Sequence, residues 1–118
     1  VTTHIDHVYD EECRRFQDSF ELVGKRWSPA ILMAINLGSH RFSEILRRVE
    51  GLSDRLLAQR LKELEASDLI SREVIPTVPV QIRYALTERG ADLMRSLQPL
   101  VSWGLRWEPP RPNVRAVS

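Results

Sequence analysis

Residues 52–64 read LSDRLLAQRLKEL. Plotted at 100° per residue, Leu56, Leu57, Leu61 and Leu64 centre one face of a helix, while Arg55, Gln59 and Lys62 point nearly opposite, with Ala58 among them. Ser53 supplies the side-chain oxygen expected of an N-cap, so the spacing predicts a helix from there to about Ala66. Just upstream, RFSEILRRV at 41–49 sets Phe42, Ile45, Leu46 and Val49 on one side, and Glu50 with Gly51 closes it. Two short amphipathic helices joined by a glycine-containing turn form the helix-turn-helix pattern. An amphipathic helix taken alone most often presents a merely solvated polar face. Its neighbours decide whether this one does.

On the N-terminal side, Ser28 and Pro29 form an N-cap and first-turn pair, and AILMAINL is apolar on nearly every face until Gly38. That helix is expected to be the buried centre. Before it, Asp10 can cap a helix carrying Cys13, Phe16, Phe20 and Val23 on one stripe, with Gly24 as its stop. Residues 1–9 show no clear period and read as an arm. On the C-terminal side, LISREVI and IRYAL are rich in β-branched and aromatic residues and flank PTVPVQ, which predicts a hairpin with a stiff tip. Thr87 can cap a last helix bearing Leu93, Met94, Leu97, Leu100, Val101 and Leu105, which Pro99 is expected to kink or split. The stretch EPPRPNVRAVS at 108–118 has too few apolar residues to pack and is expected to be disordered. The fold class is therefore mainly α with a small β-hairpin (α+β), a winged helix-turn-helix spanning residues 10–107. In that architecture the second helix of the pair enters the DNA major groove and the hairpin reaches the backbone or minor groove.

Composition constrains the reading further. At 118 residues one domain can bury its own core, and a net charge of +1 does not by itself announce a nucleic-acid binder. The local field is different: from 41 to 62, six basic residues stand against three acidic ones. No apolar run approaches the roughly 18 residues of a membrane span, and VTTHIDHVYDEE lacks the apolar centre of a signal peptide, so a cytoplasmic protein without a membrane partner is expected. A phosphate-cradling glycine loop, a metalloprotease pair and a nucleophile-base constellation are all missing, so neither an enzyme nor a cofactor is expected. His4 and His7, with Asp6 and Cys13 nearby, lack a second ligand pair, and no metal is expected. Cys13 is the only cysteine, which excludes an intramolecular disulfide and fits a reducing compartment.

Each polar position then has a candidate role. Arg55 can pair with guanine and Gln59 with adenine, while the small Ala58 between them allows close approach to base edges. Lys62 shares that face, and Ser53 with neighbouring backbone N–H groups can take phosphate. Arg41 and Arg47 would make positioning contacts, as could Arg72 and Arg83 from the wing, although each reads equally well as a solvated charge. Arg60 falls beside the leucines and is expected to brace the domain through an ion pair. His40 reads as a loop residue, and Trp27, Trp103 and Trp107 as packing anchors at helix ends and a dimer seam.

GKRW at 24–27, RFSEILRRVEGLSDRLLAQRLKELEASDLISREV at 41–74, VPVQIRYALTERG at 78–90 and WG at 103–104 together resemble the HxlR-type transcriptional regulators, small winged-helix proteins related to the MarR group. The resemblance spans roughly residues 13–105. It implies a homodimer joined through the N- and C-terminal helices that binds double-stranded operator DNA of palindromic layout, with repression the expected outcome. Several members look like sensors of oxidants or electrophiles through a cysteine near the N-terminus, and Cys13 matches that position. Three departures stand out. Arg14 follows the cysteine where proline is common, Asp68 replaces a usual glycine after the recognition helix, and PTVPVQ lacks a basic residue, which leaves Arg83 as the leading wing contact.

Cys13 keeps two readings. On its stripe it can be a small hydrophobe in the core or the dimer seam. In the first turn of a helix, beside Arg14 and Arg15 but opposed by Glu11 and Glu12, it can instead be a reactive thiol. The available chemistries are a disulfide to the partner subunit, a mixed disulfide with a low-molecular-weight thiol, or alkylation by an electrophile. Two rival functions remain: a winged helix used for protein interaction, and a regulator that responds to a small ligand without redox sensing.

Overall fold

The computed structural model describes the backbone of residues 3–107 and the side chains of residues 10–107. The segment expected to be disordered, 108–118, lies outside the described residues. The element order is α1 (Thr3–Gly24), α2 (Ser28–Asn36), α3 (Phe42–Arg48), α4 (Asp54–Ala66), β1 (Ile70–Ile75), β2 (Gln81–Leu86) and α5 (Glu88–Trp107). This is the expected mainly α winged helix-turn-helix.

The apolar α2 is the centre. Ile31, Leu32, Ala34 and Ile35 are buried, and Ile45, Val49, Leu52, Leu57, Leu61, Leu64, Leu69, Ile70, Tyr84 and Met94 close around them from every later element. Helix α2 ends in a Schellman motif, with Gly38 N–H donating to Ile35 O and Ser39 N–H to Ala34 O. The same motif ends α4, where Asp68 N–H donates to Glu65 O and Leu69 N–H to Leu64 O. Asp68 takes φ +60°, as its place after the helix requires, and Leu64 and Leu69 both enter the core. The following strands pair antiparallel, with Arg72 opposite Tyr84 and Glu73 opposite Arg83. Tyr84 N–H also donates to His40 O at 2.7 Å, so the loop before α3 is stitched to the wing. Thr87 caps α5 as expected: its Oγ1 accepts from Gly90 N–H and donates to Asp68 O.

Several local expectations are corrected. Helix α1 begins at Thr3, so residues 3–9 continue the helix and Asp10 is not its cap. No glycine or proline interrupts that stretch, and a helix already nucleated propagates through it. Trp27, not Ser28, caps α2: its carbonyl accepts from Ile31 N–H, its φ is +79°, and Ser28 is the first helical residue. Pro99 does not split α5, which runs unbroken through it. Proline removes one N–H from that turn, but Pro99 and its neighbours Gln98 and Leu100 are exposed, where solvent can satisfy the freed carbonyl.

Candidate nucleic-acid interface

Helix α4 is fixed from both ends. Ser53 Oγ accepts from Leu56 N–H at 3.2 Å, which is the N-cap its sequence position called for. Leu57, Leu61 and Leu64 are buried, while Arg55, Ala58, Gln59 and Lys62 are exposed on the other side. The polar face is thus turned outward in full.

Arg60 departs from this face, as expected of a brace. Its side chain is 11% exposed, its Nε donates to Arg26 O at 3.0 Å, and its Nη1 meets Glu63 Oε1 at 3.0 Å. Lys25 Nζ reaches the other oxygen, Glu63 Oε2, at 2.7 Å. The Lys25 ammonium, with Arg60 beside it, holds the Glu63 carboxyl below the usual carboxylate range.

Helix α3 begins with half of a capping box. Glu44 accepts from Arg41 N–H at 3.0 Å and His40 N–H at 3.3 Å, whereas the Arg41 side chain has no acceptor to complete the exchange. Chiefly through the Arg41 N–H bond, the Glu44 carboxyl is held below its ordinary range. The Arg41 guanidinium turns to the wing instead and donates to Gln81 Oε1 at 3.0 Å.

The remaining candidates fall into separate places. Arg41 and Arg83 line one cleft of about 390 Å³ between the start of α3 and the base of the hairpin. Lys62 and Arg72 line another with Ala58 and Tyr84, between α4 and the inner face of the hairpin. Since the register sets Arg72 opposite Tyr84 and Arg83 opposite Glu73, the two wing arginines stand on opposite faces of the sheet. Arg47 is exposed on α3 and lines a third surface with Ser39 and Arg48, where Arg48 Nε donates to Ser39 Oγ at 2.8 Å. The Arg41–Gln81 bond, the Lys25–Glu63 pair and a bond from the Arg89 guanidinium to Ser67 O at the end of α4 carried no local sequence signal.

Cys13 is exposed and lies well inside α1, not in its first turn. The N-terminal dipole acts within about one turn, so it does not supply the reactivity that a start at Asp10 would have given. Arg15 is engaged with Glu11 at 3.1 Å. Its exposure also excludes burial in the core of its own chain. Its stripe mates Phe16 and Phe20 are 70% and 58% exposed, with ring centroids 6.0 Å apart and ring planes tilted by 43°. The far half of α5 is similar, with Leu105 82% and Trp107 70% exposed. Trp27, by contrast, packs against the core with the Arg26 guanidinium 5.0 Å from its ring. The side chains of His4, Asp6 and His7 lie outside the described residues. Among the described residues no three His, Cys, Asp or Glu side chains gather into a metal-binding group, and no helix is long and apolar enough to cross a membrane.

A buried α2, a capped helix-turn-helix with its polar face outward, and a two-stranded wing define a winged-helix DNA-binding regulator, not an enzyme. Residues 22–112 match the family described as HxlR-like helix-turn-helix, and the chain belongs to that family of transcriptional regulators. It is 41% identical over 100 residues to the Bacillus subtilis HTH-type transcriptional regulator YvaP, covering 85% of this chain and 93% of YvaP. The reduced form of the transcriptional regulator YodB, also from B. subtilis, superposes with a TM-score of 0.73 at 36% identity, covering 83% of this chain and 96% of that one. The redox regulator HypR in its oxidised form gives 0.74 at 28% identity, covering 81% and 99%.

Proposed function

We propose that this protein is a homodimeric, sequence-specific repressor that reads operator DNA through the exposed face of α4 and senses oxidants or electrophiles through Cys13. The observation that carries the DNA reading is the division of α4. Arg55, Gln59 and Lys62 all face outward around the small Ala58 while the leucines are spent in the core. In this reading Arg55 and Gln59 contact base edges, Lys62 and Ser53 the adjacent backbone. Arg41 with Arg83, and Arg72 from the inner face of the wing, neutralise flanking phosphates, and Arg47 adds a positioning contact from α3.

Two further observations support assembly and sensing. The exposed aromatic and aliphatic residues of α1 and distal α5 supply an apolar surface of the kind a dimer covers. Cys13 stands on α1 beside that surface, open to solvent. YodB has been solved both reduced and after diamide treatment, and HypR both oxidised and reduced. In this chain a single cysteine restricts the chemistry to an intersubunit disulfide, a mixed disulfide with a small thiol, or alkylation. Forming either disulfide oxidises two thiols, whose two electrons and two protons pass to diamide or to a peroxide.

The test of the DNA reading is the Arg55→Ala/Gln59→Ala variant on the promoter fragment that the wild type protects. The proposal expects specific affinity to fall by at least tenfold with folding intact. Unchanged affinity and specificity would refute it and favour a protein-interaction role. For sensing, Cys13→Ser should keep its DNA affinity under diamide or a quinone while the wild type loses it; equal responses would refute that part.

A further inference from the structure

We infer that Lys25, Arg60 and Glu63 are positioning residues that lock the recognition helix onto the turn between α1 and α2, and so set the angle at which α4 presents its exposed face to DNA. The inference rests on the reading of α4 as the DNA-facing helix and adds how that helix is aimed.

One short turn, residues 25–27, is held to both parts of the helix-turn-helix. Lys25 and the Arg26 carbonyl are tied to α4 by Glu63 and Arg60. Trp27 lies close to the turn between α3 and α4, so close that a Cβ at Gly51, which sits at φ +89°, would stand 3.3 Å from the edge of its ring. Trp27 itself is held at φ +79° while its carbonyl starts α2. The left-handed conformation is unfavourable for a bulky residue and persists where its surroundings enforce it. The anchors on α4 directly follow the readers in sequence, Arg60 after Gln59 and Glu63 after Lys62, so the helix is gripped on the side next to the face it presents.

Isolated surface ion pairs contribute little to stability. This cluster differs in form, because a mostly buried guanidinium divides its rigid fork between a main-chain carbonyl and a carboxylate that a second cation also holds. Such an arrangement restricts orientation more than it adds stability. Base readout requires side chains placed within about 0.5 Å and 10–20°, so a loosened α4 loses specificity before it loses fold.

The sign of one substitution separates this from plain electrostatics. Glu63→Gln removes a negative charge near a basic surface, which by Coulomb attraction alone should tighten binding to any duplex. Positioning predicts the reverse for the correct sequence. The probes are a duplex selected from a random-sequence pool by the wild-type protein and a scrambled duplex of the same length, at one salt concentration. Glu63→Gln is expected to lower affinity for the selected duplex about tenfold, with the scrambled duplex unchanged or slightly tighter. A selected-to-scrambled ratio within twofold of wild type overturns the inference. Should Glu63→Gln fail to fold, Lys25→Gln, an exposed change that leaves the Arg60–Glu63 pair, decides by the same ratio with an expected loss of about threefold. Arg55→Ala/Gln59→Ala is measured in parallel. If it too leaves the ratio unchanged, the reading of α4 has failed; if it alone collapses the ratio, only the positioning role has.

Discussion

The block from α2 to β2 and the two long helices that flank it are built from the same amphipathic pattern, yet they satisfy it differently. In the block, Ile31, Ile45, Leu57, Leu61 and Ile70 are essentially inaccessible, and the chain closes its own core. In α1 and distal α5, Phe16, Phe20, Leu105 and Trp107 stay open to solvent. Periodicity tells which residues share a face, but not what will cover it. The block closes around a core that Met94 of proximal α5 completes, whereas α1 and distal α5 leave apolar side chains uncovered.

The difference can be broken most forcefully in the block. Leu57→Ala should destabilise the fold by about 2–5 kcal/mol, since the truncated side chain leaves a cavity in a packed interior. Phe20→Ala, which removes a larger side chain from an exposed site, should leave the unfolding free energy of an isolated subunit within about 0.5 kcal/mol. Its effect should appear in sedimentation, as weaker self-association. Urea denaturation of both variants at several protein concentrations checks the pair. An intermediate effect is expected at the joint between the regions, where Thr87 caps α5 and also holds Asp68 O. Thr87→Ala should cost about 1 kcal/mol, read from the same denaturation curves.

The smallest expected effect is in acid. Glu44 and Glu63 both have carboxyls held below their unfolded range, Glu44 mainly by the Arg41 backbone N–H and Glu63 mainly by Lys25. A depressed carboxylate contributes stability that is full above the unfolded value, about 4.3, and is lost as pH falls through the folded one. Glu44→Gln should therefore lower stability at pH 7 slightly and flatten its decline below about pH 4, measured by thermal melts across that range.

Much of this arrangement was legible because it is local. The Ser53 cap, the leucine face of α4 and the ion pair of Arg60 each depend on residues within a few positions of one another. What could not be read depends on tertiary closure. Arg41 meets Gln81 across 40 positions and Lys25 meets Glu63 across 38, and both partners are set by how hairpin and helices dock. The Trp27 cap was hidden for the same reason: serine is the better N-cap by propensity, but Ser28 is buried as the first helical residue. The start of α1 was missed because the period of its apolar stripe ends while its helix does not. The candidate contact residues were named individually, but the placing of Arg41 with Arg83 and of Lys62 with Arg72 in separate clefts, with the two wing arginines on opposite faces of the sheet, follows only from how the hairpin pairs and docks.

The proposed dimer requires an outward-facing α4 in each subunit and a seam made by the flanking helices, and hydroxyl-radical footprinting of the wild-type protein on the DNA upstream of its own gene tests both halves together. Two protected half-sites of inverted sequence, centred about one helical turn (10–10.5 bp) or a multiple of it apart, are the predicted result. A single protected stretch without two-fold symmetry, formed at the same stoichiometry, would contradict it.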